Sequence, residues 1–103
     1  MVRDIGKQDF DGILRESEKP VVVDFITQSC PYCKKLKPVI EEIADEYADE
    51  IDVYYADADE RGDLAERYEI MTVPAVFVFR DGKAAGNAVN PRTKEAVIDL
   101  IFT

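Results

Sequence analysis

The sequence has no histidine, no tryptophan and only two cysteines among its 103 residues. Without histidine, a Cys–His nucleophile is excluded and the commonest metal ligand in proteins is missing. The longest uninterrupted apolar run, Ala75–Phe79, is far shorter than the roughly 18 residues that a membrane-spanning helix needs. The five glycines never form the G-x-G-x-x-G pattern of a dinucleotide-binding turn. Any chemistry must therefore come from cysteine, carboxylates, lysine, tyrosine or the backbone.

Positive charge is also scarce, with 13 Lys and Arg against 22 Asp and Glu and a net charge of −9. Such a balance opposes nucleic acid and anionic membrane surfaces as partners through simple repulsion. Twelve of the acids fall in residues 41–66, where Arg61 is the one base, and this pattern is typical of a solvated face. Residues 30–38, in contrast, hold three lysines and no acid.

The length of the chain predicts one domain, residues 1–103, because a chain of this size folds around a single core. A composition of 47% hydrophobic and 34% charged residues is typical of a folded globular protein. The first residues show no hydrophobic segment behind a basic start. We therefore expect a cytoplasmic protein, and we expect a monomer.

Hydrophobic periodicity predicts an α/β domain in which helices can cover both faces of a mixed sheet. The predicted helices are Asp9–Glu18, Pro31–Asp49 with a kink at Pro38, Asp59–Tyr68 and Pro91–Ile101. The predicted strands are Val21–Ile26, Ile51–Ala56, Ala75–Arg80 and Lys83–Val89, with an optional strand at Val2–Ile5. Asp81-Gly82 indicates a hairpin between the last two strands.

Both cysteines fall in one motif, Cys30-Pro31-Tyr32-Cys33, where a predicted buried strand gives way to the longest predicted helix. Unpaired backbone N–H groups and the positive end of the helix dipole favour a thiolate at such a position. The second sulfur lies one turn further on, close enough to close a small disulfide ring. The motif predicts redox chemistry, with Cys30 as the exposed nucleophile that forms a mixed disulfide and Cys33 as the shielded thiol that resolves it.

Two other uses of the cysteine pair compete with thiol exchange. A zinc site needs about four ligands, and this chain offers only two soft ones, so a metal or iron–sulfur site would have to be shared between two chains. A structural disulfide across two intervening residues removes little chain entropy and does not suit a reducing compartment. Redox exchange is the preferred interpretation, and we expect no metal and no other cofactor.

Asp24 and Pro74 break the patterns around them. Asp24 interrupts the apolar strand Val21–Ile26. It is either a water-exposed aspartate or a buried one with a raised pKa, able to exchange a proton with a nearby thiol. Pro74 comes just before the strand that begins at Ala75, a position that tolerates a residue without an N–H group. Residue types alone leave both interpretations of Asp24 open and favour a trans bond between Val73 and Pro74.

Taken together, these motifs resemble those of the thioredoxin family from about residue 4 to the end of the chain. The residues that carry the resemblance are Val23-Asp24-Phe25, Cys30-X-X-Cys33-Lys34, Pro38, Ile43-Ala44-Asp45-Glu46-Tyr47, Asp57-Ala58-Asp59, Val73-Pro74 before Ala75–Phe79, and Asp81-Gly82-Lys83. Cys-X-X-Cys alone is a weak signature. The aspartate, both cysteines and the proline in register are a specific one.

The resemblance implies a thioredoxin fold, a central mixed β-sheet flanked by helices on both faces, and exchange with disulfide-containing protein substrates. It implies that Pro74 is cis and faces the disulfide, and that the backbone of Val73 pairs with an extended substrate segment. It makes Asp24 a buried proton carrier for Cys33. Thr72, Pro31 and Tyr32 fall on the same substrate-contacting surface. Electrons are expected from a partner protein of the thioredoxin-reductase type or from glutathione.

The chain departs from the family pattern at several positions. Ser29 and Ile26 stand where thioredoxins usually have tryptophan, and Asn90 stands where a glycine usually closes the substrate groove, although asparagine can reach the left-handed conformation. Cys-Pro-Tyr-Cys and Thr72-Val73-Pro74 are glutaredoxin signatures, but no glutathione-binding Gly-Gly segment follows Gly82. Three classes therefore remain open: a thioredoxin-type reductase, a glutaredoxin-type enzyme that uses glutathione, and a metal or iron–sulfur module at a dimer interface.

Overall fold

The computed structural model describes residues 1–103, the whole chain, as five strands and four helices. In chain order these are β1 (Arg3–Asp4), α1 (Phe10–Glu16), β2 (Val21–Ile26), α2 (Pro31–Glu46), β3 (Asp52–Asp57), α3 (Gly62–Arg67), β4 (Ala75–Arg80), β5 (Lys83–Val89) and α4 (Lys94–Phe102). The predicted α/β class and the predicted order of elements are confirmed. No helix combines the length and the apolar character needed to cross a membrane.

The strands form one mixed sheet in the order β1-β3-β2-β4-β5. β1, β3 and β2 run parallel, whereas β4 is antiparallel to β2 and β5 is antiparallel to β4. Asp81 and Gly82 join the last two strands with φ angles of 53° and 79°, the left-handed backbone that a two-residue hairpin requires. β2 thus lies at the centre of the sheet, and the segment that follows it emerges at the carboxyl ends of the parallel strands.

β2 separates two hydrophobic layers because successive side chains of a strand point to opposite faces. Val21, Val23 and Phe25 join the layer that also contains side chains of α1 and α3. Val22 joins the other layer, which contains Leu36 and further apolar side chains of α2 and α4. Since both faces are covered, the strand is apolar throughout except at Asp24, as expected of a strand buried on both faces.

The start of α4 differs from the sequence-based expectation. The helix begins at Lys94 and not at Pro91, and Thr93 caps it by accepting the N–H of Ala96 at 3.1 Å. The threonine side chain satisfies one of the free N–H groups of the first turn, and this cap fixes the start of the helix after Thr93. Residues 90–93 are therefore a loop, and this loop lies beside the cysteine motif.

The other three helices are shorter than predicted, and α1 covers Phe10–Glu16 rather than Asp9–Glu18. α3 begins at Gly62 and not at Asp59, because the Asp57 carboxylate accepts the N–H groups of Asp59 at 2.9 Å and of Glu60 at 3.4 Å. A side chain that binds these donors holds the segment as a turn rather than a helix. α2 continues through Pro38 and ends at Glu46, three residues before the predicted end.

Candidate active site

The two cysteines form a disulfide at the start of α2. Cys30 is the N-cap of the helix, with extended backbone at φ −89° and ψ 108°, and its Sγ accepts the N–H of Cys33 at 3.1 Å. Their Cα atoms lie 5.2 Å apart, within the usual range for a disulfide. The capping position brings one free N–H of the helix directly to the first sulfur, as the motif predicted.

The expected exposure of Cys30 is wrong for the disulfide form. Cys30 is 8% exposed and Cys33 is 5% exposed, so both are buried and Cys30 is only slightly the more accessible. The carbonyl oxygen of Val73 lies 3.7 Å from the Cys30 Sγ and covers it from the side of the sheet. This contact comes from a segment 43 residues further along the chain, which spacing around the motif cannot reveal.

The segment that covers Cys30 contains the cis bond that the resemblance implied, between Val73 and Pro74. Pro74 is buried, Val73 is half-buried and Thr72 is exposed. The carbonyl of Pro74 accepts the N–H of Asn90 at 2.7 Å, and Asn90 has a φ of 46°. Asparagine thus takes the left-handed conformation expected of it, and it ties the loop before α4 to the proline segment.

Asp24 is fully buried, which decides between the two interpretations left open by its place in the strand. Neither carboxyl oxygen has a hydrogen-bond partner, and burial raises its pKa to about 7. Asp24 shares its face of β2 with Val22, which packs in the same layer as Leu36 of α2. It therefore lies on the side of the sheet that α2 covers, with a proton that it gains or loses near neutral pH.

Tyr55 is the neighbour of Asp24 across the β2–β3 pair, and sequence reasoning assigned it no role. Its hydroxyl is buried without a hydrogen-bond partner, and burial raises the pKa of that hydroxyl, with smaller contributions from the charges of Glu41 and Asp24. Tyr55 and Cys33 line one cavity of about 290 Å³. The register of the two strands, which the sequence does not state, is what brings Tyr55 to this site.

The dipeptide between the cysteines faces solvent. Pro31 is exposed and Tyr32 is 51% exposed. The Tyr32 ring centroid lies 5.6 Å from the Nζ of Lys35 and 5.8 Å from the guanidinium carbon of Arg92. Arg92 belongs to the loop before α4, where the sequence predicted the first turn of a helix, and it was not among the predicted site residues.

No group of three or more His, Cys, Asp or Glu side chains is arranged to hold a metal ion. At the start of α2 the structure instead places a disulfide against the cis-proline segment, and a fully buried carboxyl lies on the side of the sheet that α2 covers. This set can store two electrons in the sulfur pair and one proton in the carboxyl group.

Comparison with known proteins agrees with this geometry. The family model described as Thioredoxin matches residues 1–103. The chain belongs to the thioredoxin family.

Individual thioredoxins share about a third of its residues. A thioredoxin from Staphylococcus epidermidis is 34% identical over 97 residues, which cover 94% of this chain and 91% of the relative. A thioredoxin from Acidithiobacillus ferridurans is 36% identical over 90 residues, which cover 87% and 83%. Against Thioredoxin M-type, chloroplastic, from Spinacia oleracea, the identity is 35% over 100 residues, and the match spans 97% of this chain but only 55% of the spinach protein.

Family membership and the cysteine pair together establish the type of reaction. The chain is a thiol–disulfide oxidoreductase, with Cys30 and Cys33 as its redox-active disulfide. The glutaredoxin-type and metal-binding alternatives are not favoured, since the family match and these relatives are thioredoxins. The glutaredoxin-like Cys-Pro-Tyr-Cys sequence is a local feature of this thioredoxin-family chain.

Proposed function

We propose that this thioredoxin-family chain reduces disulfides in other proteins, with Cys30 as the attacking group and Cys33 as the resolving group. The observation that carries the proposal is the Cys30–Cys33 disulfide at the start of α2, against which the Val73 carbonyl packs. The disulfide is the oxidised end point of the cycle. The reaction starts from the reduced pair.

In the first step, the Cys30 thiolate attacks one sulfur of the substrate disulfide. A bond forms between Cys30 and that sulfur, the substrate S–S bond breaks, and the other substrate sulfur leaves as a thiolate. The N–H of Cys33, 3.1 Å from the Cys30 Sγ, supports this assignment because a backbone donor at a helix start stabilises negative charge on that sulfur.

In the second step, Cys33 transfers its proton to the Asp24 carboxylate and attacks the Cys30 Sγ. The mixed disulfide breaks, the Cys30–Cys33 bond forms, and the second substrate sulfur leaves, so that two electrons have passed to the substrate. Burial supports the role of Asp24, because a carboxyl group with a pKa of about 7 can accept and return a proton at neutral pH. Pro74 positions the segment that covers the sulfur pair.

The backbone of Val73 supports its role in holding the substrate. Neither its N–H nor its carbonyl has a backbone hydrogen-bond partner. The N–H is therefore free to pair with an extended segment of a substrate, as a strand pairs with a sheet edge, while the carbonyl lies 3.7 Å from the Cys30 Sγ. Thr72, Pro31 and Tyr32, all exposed beside it, complete the proposed contact surface.

The partners and setting are part of the same proposal. The chain works without a cofactor, as a monomer and single domain over residues 1–103, in the cytoplasm. Support for a reducing compartment comes from the cysteine count, since both cysteines are in the exchange motif and none is left for a structural disulfide. Electrons come from a partner protein of the thioredoxin-reductase type rather than from glutathione.

The roles of the two sulfurs can be separated by trapping. Cys33→Ser, mixed in reduced form with a disulfide-containing protein such as insulin, should accumulate a mixed disulfide that dithiothreitol cleaves and that mass spectrometry locates at Cys30. Cys30→Ser should form no adduct and show no turnover. A stable adduct on Cys33 in the Cys30→Ser variant, with none on Cys30, would reverse the assignment.

The electron donor is tested with the native chain. Insulin reduction should proceed with NADPH and thioredoxin reductase, and should be slow with NADPH, glutathione and glutathione reductase. Faster turnover with glutathione would contradict the donor assignment and leave the roles of the two cysteines intact.

A further inference from the structure

Four cations beside the exchange site have no acidic partner. Lys34, Lys35 and Lys37 on α2 and Arg92 in the loop before α4 are exposed, and none of them forms an ion pair. Lys94, only two residues after Arg92, instead contacts both Glu42 and Glu46. The protein has a net charge of −9, so these four cations form a positive patch on an acidic surface.

Two of these cations meet at one aromatic ring. Lys35 and Arg92 lie over the Tyr32 ring, at 5.6 Å and 5.8 Å from its centroid, although they come from different elements. The ring attracts each cation through its electron-rich face. We call Tyr32, Lys35 and Arg92 the Tyr32 clamp. It borders a groove of about 150 Å³ whose other lining residues are Leu36, Val39, Asn90 and Pro91, so that no acid lines the groove.

The clamp is attached to the exchange site on both sides. Tyr32 lies between the two cysteines in the first turn of α2. In the loop that carries Arg92, Asn90 donates its N–H to the carbonyl of Pro74. Val73, the residue before Pro74, contacts the Cys30 Sγ. A polypeptide bound along Val73 with its disulfide at Cys30 would therefore pass within side-chain reach of Lys35 and Arg92.

Charge determines which substrates gain from this arrangement. Neither cation has an acidic partner, so a carboxylate of a bound segment can pair with Lys35 or with the planar guanidinium of Arg92, the latter through two hydrogen bonds. The net charge of −9 disfavours the approach of an acidic segment to most of the surface, and this directs such a segment to the clamp.

We propose that the Tyr32 clamp binds an acidic side chain next to the substrate disulfide, so that the chain prefers disulfides flanked by Asp or Glu. The inference rests on the proposed reduction of protein disulfides. It names the class of protein substrate that the reaction favours.

The experiment uses the reduced chain in single-turnover reactions with two synthetic peptides. Each peptide contains one intramolecular disulfide, and they differ only in two flanking residues, which are Glu in one and Lys in the other. At low ionic strength the rate constant for the Glu peptide should exceed that for the Lys peptide about tenfold, and the ratio should shrink towards one at 0.5 M NaCl because salt screens exposed charges.

Charge-reversal variants test whether the clamp causes the preference. Arg92→Glu should reduce the ratio to about twofold or below. The matched control is Lys83→Glu, because Lys83 is an exposed and unpaired lysine at the β4–β5 hairpin, and it should keep the tenfold ratio while making the same change in net charge. An equal loss of the ratio in both variants would mean that net charge and not the clamp sets the preference, and would overturn the proposal.

A neutral substrate separates this inference from the proposed function. If the native chain reduces hydroxyethyl disulfide but reacts equally with the two peptides, the clamp proposal is wrong and disulfide reduction stands. If it reduces none of the three, disulfide reduction fails and the clamp proposal fails with it.

Discussion

Asp24 and Asp57 lie on the neighbouring strands β2 and β3, Asp24 fully buried and Asp57 7% exposed, and their surroundings are opposite. Asp57 accepts the side-chain amide of Gln28 at 3.1 Å and the N–H groups of two residues in the turn that follows. Asp24 accepts no hydrogen bond. The bond from Gln28 and the backbone bonds hold the pKa of Asp57 below its ordinary range, whereas burial raises the pKa of Asp24 to about 7.

The difference teaches that burial alone does not set the role of a carboxyl group. Asp57 is ionised over the whole neutral range and stabilises a turn between β3 and α3. Asp24 has no such structural partner, so its only distinctive property is a proton that leaves near pH 7. An unpaired polar group in the interior costs free energy, and such a cost under the helix that carries a redox disulfide agrees with the proposed proton-transfer role.

The largest expected effect is on stability, from Asp24→Asn. Between about pH 4 and pH 7 the folded chain keeps a proton on Asp24 that the unfolded chain releases, so the free energy of unfolding falls as pH rises through this window. The variant cannot ionise there. At pH 9 we expect it to be more stable than the native chain by about 4 kcal/mol, and at pH 4 or below we expect no difference.

Urea unfolding of the oxidised proteins at pH 4 and pH 9 measures this effect. Asp57→Asn serves as the comparison, because its stability change should have the opposite sign. A gain in stability for Asp24→Asn that is the same at both pH values would show that ionisation is not the cause.

The next effect is on the rate at which the mixed disulfide is resolved. Without a carboxylate to accept the Cys33 proton, Asp24→Asn should slow this step about a hundredfold at pH 7, within the usual range for loss of a general base. The inflection near pH 7 in the rate profile of the native chain should also disappear. Rapid mixing of the preformed mixed disulfide, followed by release of the substrate thiol, gives the rate.

An unchanged profile in Asp24→Asn would assign the inflection to another group. Asp57→Asn is the control here too, because the Asp57 carboxylate accepts three hydrogen bonds and stays ionised throughout the neutral range.

The smallest effect is the loss of stability in Asp57→Asn. A neutral amide accepts the backbone N–H groups less strongly than a carboxylate, and we expect a loss of about 1 kcal/mol at pH 7. Because the folded pKa of Asp57 is lowered, its ionised form contributes stability that is present at neutral pH and lost as pH falls through the folded pKa. Thermal unfolding at pH 7 and pH 2.5 should show that Asp57→Asn loses less stability at pH 2.5 than at pH 7.

Much of the fold could be predicted from the sequence because its signals are local. The continuous apolar run of β2 and the helical spacing after Cys33 predicted a buried strand followed by a long helix, with the cysteine pair between them. The burial of Asp24 was harder to predict from the sequence. A single aspartate in an apolar strand has the same sequence pattern whether or not α2 covers it.

The features that sequence reasoning missed depend on contacts between distant segments. Tyr55 reaches the site through the register of two parallel strands, and Arg92 reaches Tyr32 from the loop before α4. Cys30 is covered by Val73, which approaches from 43 residues away. The cis bond before Pro74 followed only from the family resemblance, since residue types alone favour trans.

The most direct test of the contrast between the two acids is a titration of both side chains in the oxidised native chain. Carbon-13 labelling of the aspartate carboxyl groups allows NMR to follow each one, with Asp24→Asn and Asp57→Asn to assign the signals. We predict a midpoint near pH 7 for Asp24 and a midpoint below the ordinary aspartate value for Asp57. A midpoint near pH 4 for Asp24 would contradict the account.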